Sequence, residues 1–527
     1  MRLSPLVLSA VILAAPMGAP TQGPVRTILL LTGTDTIAVE QITRGPGRLE
    51  GDLLFRSANQ RWHYVATLGS GEEVTVLHNE FRTATDSAGS PARQQARLVF
   101  AGDSVFVTIE GATTPPQRLG TTRGALPFIN PSFALVEQAI RRRLRLGADT
   151  MSMAFFAVAG GQTFPLTMER IGTDSMVVTL AGAPARLGIR ADGTITGGSV
   201  PAQGLRIVVL EGGAGGGMMG MAKPDYSAPP GAPYTAEPVW VPTPMGHRLA
   251  GTLTLPTGTG GPVPAIVTIS GSGPQDRDEV IPMVKGYRPF REFADALGRR
   301  GVAVLRLDDR GTGESEGNPA TATSGDFAED VRAALAWLRS RPGIDGTRLG
   351  LVGHSEGGLI APLVASTDSA LKGIVLLAGP GYTGRKILEF QNRYAIDNAP
   401  SIPASSRDSL FQAALRTLDS LGKAVPWMRF FLDYDPLQTA RRVRAPVLIL
   451  QGATDLQVTA DQAPVLEQAF RAGGNRDVTM RVFPETNHLF LVDPSGNPAG
   501  YSALRVSTLR PEVLRQVADW LTARLSR

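Results

Sequence analysis

The strongest constraint in this chain is the stretch from Leu349 to Pro362, LGLVGHSEGGLIAP. It opens as an apolar run of strand character. It then passes through Gly353-His354-Ser355-Glu356-Gly357 and continues as an apolar helical segment. G-x-S-x-G at a strand-to-helix turn brings the two backbones so close that both flanking positions must be small. The same turn pushes the serine hydroxyl out of the sheet. Such a turn belongs in a layered α/β sheet, where sites gather beyond the carboxyl ends of the strands.

The surrounding sequence fits that sheet. From about residue 236, VWVPTP and LAGTLTLP (249–256) read as a leading hairpin. AIVTISGS (265–272), VAVLRLDDRG (302–311), RLGLVGH, GIVLLAGPG (373–381), APVLILQGATD (445–455) and VTMRVFPETNH (478–488) read as buried strands. Between them lie amphipathic helices, among them 288–300, 325–340 and 511–525. Apolar strands alternating with such helices predict a mainly parallel sheet covered on both faces. A polar helical insertion at about 382–440 interrupts the alternation.

Residues 24–210 have a different texture. Short β-branched and aromatic runs separated by turn residues predict a β-rich domain, with one helix near 132–146. Gly33-Thr34-Asp35-Thr36, Gly147-Ala148-Asp149-Thr150 and Gly172-Thr173-Asp174-Ser175 repeat a small pattern, read as recurring hairpins or as ordinary turn chemistry. The segment 211–235 is too rich in Gly and Pro to order itself and reads as a linker. Its one G-x-G-x-x-G match, Gly215-Gly217-Gly220, lacks the strand-to-helix context of a dinucleotide site.

A serine hydroxyl is a poor nucleophile and needs a base. The chain has 5 histidines. His63 and His78 lie in the β-rich region, His247 in the leading hairpin, and His354 in the turn itself, directed away from the site. His488 follows the last strand, where a loop can return it over the sheet, and is the expected base. Asp455, just past VLILQGATD, is the expected carboxylate that fixes the imidazole; Asp308, Asp309 and Glu485 are less well placed. The order Ser355, Asp455, His488 is the order this architecture requires. The expected oxyanion donors are the N–H of Glu356 and an N–H from the glycine-rich loop after AIVTIS, that of Ser272 or else Gly273.

Composition limits the alternatives. Hydrophobic residues make up 43% of 527, enough for sizeable cores, and the net charge of +5 is small for that length. The densest basic cluster, Arg141 to Arg145, reads as a solvated helix face and not as a nucleic-acid surface. With no cysteine, a thiol nucleophile and disulfides are excluded. Scattered histidines give no metal-ligand spacing, so no metal and no cofactor is expected. Residues 1–22, a short positive start, an apolar stretch and then small residues and prolines, have the pattern of a signal peptide. No later segment is long and apolar enough to span a membrane. The expectation is an exported protein, periplasmic or secreted.

Residues 236–527 resemble an α/β-hydrolase. SGSGPQDRDE (270–279), DDRGTGES (308–315), GHSEGG (353–358) and PWMRFFLDYDP (426–436) are similar to a bacterial serine esterase group near the dienelactone-hydrolase and prolyl-oligopeptidase-like branches. Dienelactone hydrolases proper use a cysteine nucleophile, which this chain lacks. The resemblance covers a little over half the chain and implies an α/β-hydrolase fold with a helical cap over Ser355, preceded by the β-rich domain. Asp276, Arg277 and Asp278 are expected to brace the oxyanion loop, and Asp309 and Arg310 the neighbouring strand end. Tyr382, Phe390, Trp427, Phe430 and Phe431 are candidates for an acyl pocket or for cap packing. The expected reaction is hydrolysis of a small-molecule carboxylic ester through an acyl-enzyme. One alternative is a peptidase using the same triad, with Glu356 meeting a substrate amine or pairing with a neighbour. Another is a binding module for lipid, glycan or protein carrying a hydrolase. The sequence leaves the oligomeric state open.

Overall fold

The structure, a computed structural model, describes residues 24–526 apart from 34, 57–58, 85, 87–91, 112–114, 148–149, 181–182, 202–203, 213–215, 220–223, 282, 320 and 400–401. The signal-peptide expectation for 1–22 lies outside the described residues, as do Gly215 and Gly220 of the G-x-G-x-x-G match. The chain divides into two units, Met1–Ala222 and Lys223–Arg527.

The first unit is one sheet progression around a helix, antiparallel except for the parallel pair at one end, formed by the strands on either side of that helix. Its strands are β1 (Arg26–Thr32), β2 (Asp35–Gly45), β3 (Arg48–Phe55), β4 (Gln60–Leu68), β5 (Val74–Thr83), β6 (Gln94–Ala101), β7 (Ser104–Ile109), β8 (Gln117–Gly120) and β9 (Leu126–Phe128). After helix α1 (Phe133–Leu146) come β10 (Thr150–Ala157), β11 (Thr163–Arg170), β12 (Ser175–Leu180), β13 (Ala183–Ile189), β14 (Ile195–Val200) and β15 (Leu205–Leu210). The sheet order is β8-β7-β6-β5-β4-β3-β2-β1-β15-β14-β13-β12-β11-β10-β9. Alternation along β4 buries Trp62, Tyr64 and Ala66, and these join Leu135, Ala139 and Ile140 of α1 in one core. The two ends of the progression approach each other, with Thr121 and Thr163 hydroxyls 2.8 Å apart and the Phe100 and Phe156 rings in edge contact.

Helix α1 is held by polar groups as well as by apolar packing. Ser132 caps its N-terminus by accepting from the Leu135 N–H, and Gly147 closes its C-terminus in the left-handed region at φ 69°. The Gly147 copy of the repeated pattern is therefore a helix cap, whereas the Gly33 and Gly172 copies sit at the β1–β2 and β11–β12 hairpin turns. The basic cluster is not a solvated face. Arg143 is buried, and Arg141 and Arg142 pair with Glu137, Asp192 and Glu73. The sheet encloses the helix on more sides than the sequence period discloses, so Arg141 and Arg142 find carboxylates, while Arg145 stays exposed.

The second unit carries β16 (Tyr234–Pro242), β17 (Arg248–Pro256), β18 (Val263–Ile269), α2 (Pro289–Gly298), β19 (Ala303–Leu307), α3 (Ser324–Ser340) and β20 (Ile344–His354). Next come α4 (Gly357–Ala365), β21 (Gly373–Leu377), α5 (Gly384–Asp397), α6 (Ala404–Ala424), α7 (Pro426–Asp433) and α8 (Pro436–Ala440). The last elements are β22 (Val447–Gly452), α9 (Gln462–Ala472), β23 (Val478–Phe483) and α10 (Pro511–Leu525). The sheet order is β16-β17-β19-β18-β20-β21-β22-β23, antiparallel for the first pairs and parallel from β19 onward. Alternate residues of the parallel strands feed opposite cores. Val267, Leu351 and Ile449 pack with Leu335 and Leu338 of α3 and Phe470 of α9, while Ile266, Val352 and Leu448 pack with Phe293 of α2 and Leu521 of α10.

Described residues of the Gly/Pro-rich segment have specific partners. Gly216–Met219 forms a short 3-10 turn whose Met219 is buried with Leu29, Leu31 and Val39 of the first unit. Tyr226, in the second unit, donates to Asp276 at 3.0 Å and lies under the Arg277 guanidinium. A few large side chains anchor a run whose backbone has little preference of its own.

Candidate functional site

Ser355 sits at the carboxyl end of β20 with φ 52°, a left-handed conformation that costs energy for a residue with a Cβ. Its N–H donates to the Leu377 carbonyl at 2.8 Å, which fixes the turn against β21. Both flanking glycines are required by contact. A Cβ on Gly353 would lie 2.1 Å from the Gly357 carbonyl oxygen, and one on Gly357 2.1 Å from that of Ile269.

Asp455 follows β22 and is buried. Its Oδ1 accepts from the N–H groups of Gln457 and Val458 at 2.8 and 2.9 Å. Its Oδ2 accepts from Gln451 at 2.9 Å and from His488 Nδ1 at 2.8 Å. Nδ1 therefore carries the hydrogen, which leaves Nε2 of a neutral ring as an acceptor. The loop bearing His488 is shaped by Asn487, whose side-chain oxygen accepts from Leu489 and Leu491 N–H at 3.0 and 3.1 Å.

Ser355, His488, Glu356 and Ser272 line one cavity of about 270 Å³. Gly273 lies off that lining. Among the described residues no hydrogen bond yet joins Ser355 Oγ to His488; such contacts tighten when substrate is bound. The cavity wall is largely apolar, with Ile281, Met283, Ile387, Leu388, Trp427 and Phe431. Of the aromatic residues singled out in the sequence, only Trp427 and Phe431 reach it. Tyr382 donates to Asp461 at 2.6 Å, Phe390 stacks on Tyr394, and Phe430 stacks on Tyr434.

The acidic and basic residues around the oxyanion loop divide their work differently from the expectation. Asp309 accepts from Ser270 Oγ at 2.7 Å and from the Gln275 N–H at 3.0 Å, so it grips the loop on both sides. Burial raises its carboxyl well above the usual range, although those two hydrogen bonds oppose the shift. Arg277 pairs with Asp308 through two nitrogens, at 3.0 and 2.7 Å. Asp278 pairs with Arg306 and Arg288, and Asp276 accepts from the N–H groups of Asp278 and Val280. Arg310 pairs with Asp330 at 2.7 Å.

Glu279 and Tyr501 were not singled out in the sequence, and the side-chain partners of Glu356 were not legible there. Glu356 forms no ion pair; its Oε1 accepts from Ser324 Oγ at 2.7 Å and from the Trp427 indole at 2.8 Å, tying the cap helix α7 to the residue after the serine. Glu279 accepts from the Gly271 N–H and faces His354. Tyr501, from a distant segment, closes one side of the cavity. Glu356 meets Ser324 and Trp427 across 32 and 71 residues of sequence, and Glu279 meets His354 across 75, so no local pattern marks these contacts. His247 is bound to Asp330 at 3.1 Å, and His63 lies near Glu50. Among the described residues no group of three or more His, Asp or Glu is placed to hold a metal ion. No described helix is long and apolar enough to cross a membrane.

Part of this chain is similar to known hydrolases. Residues 283–495 match a hydrolase family described as serine aminopeptidase, S33. Esterase EstD of Thermotoga maritima is 30% identical over 289 residues, 52% of this chain and 66% of the esterase, just under two thirds of its length. Dipeptidyl aminopeptidase BIII of Pseudoxanthomonas mexicana is 25% identical over 244 residues, 45% of this chain and 32% of that protein. Among solved structures, the Pyrococcus furiosus esterase Pf2001 is similar over 57% of this chain and 97% of its own, with 18% identity and a TM-score of 0.39. The match over residues 283–495 and the strand order of the second unit give that unit an α/β-hydrolase fold, preceded in the chain by the β-rich unit.

Proposed function

We propose that the second unit hydrolyses small carboxylic esters through an acyl-enzyme on Ser355. The observation that carries this reading is the Asp455–His488 hydrogen bond at the wall of the same cavity that Ser355 enters from a strained turn. His488 Nε2 takes the Ser355 proton as the hydroxyl attacks the ester carbonyl. Asp455 holds the ring in the required tautomer and stabilises it once protonated. The N–H groups of Glu356 and Ser272 receive the developing oxyanion. His488 then returns the proton to the leaving alcohol, and water repeats the sequence to release the acid.

The apolar wall supports an uncharged acyl group, and among the described residues no lysine or arginine lines the cavity to receive an anionic one. A peptidase reading draws on the matched family's description and on the dipeptidyl aminopeptidase likeness. It requires an acceptor for a substrate amine, and the first candidate, Glu356, already uses Oε1 for Ser324 and Trp427. Export, to the periplasm or beyond, remains part of the proposal on the residues 1–22 pattern alone.

The test is a p-nitrophenyl ester against an aminoacyl-nitroanilide, with wild type and Ser355→Ala. We expect ester turnover in the wild type, a fall of about 10⁶-fold in the variant by analogy with a related triad, and covalent addition of an organophosphonate at Ser355 alone. Near-normal ester turnover by Ser355→Ala would end the reading; preference for the nitroanilide would favour the peptidase.

A further inference from the structure

We propose that Glu279 and His354 form a second histidine–carboxylate pair, a positioning pair that holds the oxyanion loop and the His488 loop in register with Ser355. This rests on the site reading given above. Both side chains are buried. His354 Nε2 lies 2.9 Å from the His488 carbonyl oxygen, and its Nδ1 lies 2.8 Å from Glu279 Oε1. The same Oε1 accepts the Gly271 N–H at 2.7 Å. One buried contact line therefore runs from the oxyanion loop, through the residue before the nucleophile, to the backbone of the base.

The protons follow from the partners. A carbonyl only accepts, so Nε2 of His354 carries a hydrogen. If Nδ1 were bare and Glu279 ionised, two lone pairs would face each other at 2.8 Å. A proton must lie on that line. The Gly271 N–H stabilises charge on Oε1, which favours carboxylate and imidazolium. Burial works against the charged ring, but the Glu279 carboxylate and the His488 carbonyl outweigh it and hold His354 above the ordinary imidazole range. The charged and titratable groups facing the pair are His488, Asp455, Asp309 and Tyr287.

The pair is neutral as a whole, so it contributes position and not charge. Gly271 lies against the nucleophile: a Cβ there would be 3.2 Å from Ser355 Cβ and 3.3 Å from Glu279 Oε1. Movement of Glu279 would carry Gly271 and the adjoining Ser272 N–H with it. Movement of His354 would release the His488 backbone. A displacement of about 1 Å in such a constellation can cost about a hundredfold in rate.

Glu279→Gln removes the charge that keeps both ring nitrogens of His354 protonated; once the ring is neutral and its hydrogen stays on Nε2 for the His488 carbonyl, the amide must turn either its oxygen to the bare Nδ1 or its N–H to the Gly271 N–H. We expect kcat to fall between about tenfold and a hundredfold with KM little changed. In wild type, the His354 imidazolium should persist in NMR titration above the ordinary value of about 6.5, and Glu279→Gln should move it downward. His354→Gln identifies the resonance. Wild-type kcat in Glu279→Gln, or a wild-type His354 titrating at or below the ordinary value, would overturn the pair. If Glu279→Gln does not fold, the wild-type titration decides. Ser355→Ala distinguishes the failures: if it stays active the site reading falls, whereas if it is dead and the Glu279 results are negative only the pair falls.

Discussion

The two units bury charge in different ways. In the first, Glu40 accepts from Tyr64 at 2.7 Å and from Ser132 at 2.5 Å, and Glu137 accepts from Arg26 at 2.7 Å and from the Ile195 N–H at 2.9 Å. These carboxylates tie one helix to its sheet. In the second, Asp455, Glu279, Glu356 and Asp309 collect beyond the carboxyl ends of parallel strands, where Ser355 and His488 meet a cavity. Antiparallel hairpins distribute their turns to both ends of a sheet, whereas parallel strands send every crossover loop to the same end. A buried carboxylate thus marks chemistry only where it opens onto space and orients a group with capacity to spare. Otherwise it marks architecture.

That contrast can be broken most severely at the site. His488→Ala should abolish ester turnover to the level of Ser355→Ala, and the double variant should lose no more, because the groups act as a unit. Asp455→Asn should cost about 10⁴-fold by removing the acceptor that fixes the imidazole tautomer. Steady-state kinetics of purified variants with unchanged circular dichroism would check both. An Asp455→Asn enzyme with normal turnover would place Asp455 among the architectural carboxylates.

Glu137→Gln probes the other side of the comparison. It leaves Arg26 and Arg44 beside a neutral amide in a buried setting, and loss of one partner of a buried pair costs about 3–5 kcal/mol. Calorimetry should show the transition of the first unit shifted downward, with kcat on a small soluble ester unchanged. A matching loss of kcat would show that the first unit's buried charges also serve catalysis.

The smallest expected effect is a pH-dependent one. Burial holds Glu292 at about 7, opposed by the Leu509 N–H. A carboxyl raised above its unfolded value of 4.5 stabilises the fold while protonated and loses that contribution as pH rises from 4.5 towards 7. Glu292 is partly solvated, which reduces the effect. Glu292→Gln should therefore raise Tm at pH 8 and leave it nearly unchanged at pH 5. An equal shift at both values would mean that the carboxyl is not held protonated.

Much of the second unit was legible because parallel buried strands and their helices announce themselves in one dimension. Gly353, Ser355 and Gly357 share one turn, and their spacing carries the geometry. Asp455 and His488 each end a readable strand, so their convergence follows from sheet order. Glu279 and Tyr501 had no such marker, because each reaches the site by a loop whose path depends on packing. In the first unit, short alternating runs disclosed strands but not the single continuous sheet around α1.

The sequence by itself determined the layered α/β character of the second unit, the strained serine turn and the order of the three site residues. Those features depend on period, on small side chains at fixed spacing and on the chirality of strand connections, all of them local. The tertiary structure alone decided which carboxylates orient and which merely hold. It gave Arg141 and Arg142 carboxylate partners where a solvated face was expected, anchored Met219 and Tyr226 within a Gly/Pro-rich composition, and joined Glu279 through His354 to the His488 backbone. Each of these depends on a partner brought close by folding, because hydrogen bonds and desolvation act over a few ångströms whatever the separation along the chain.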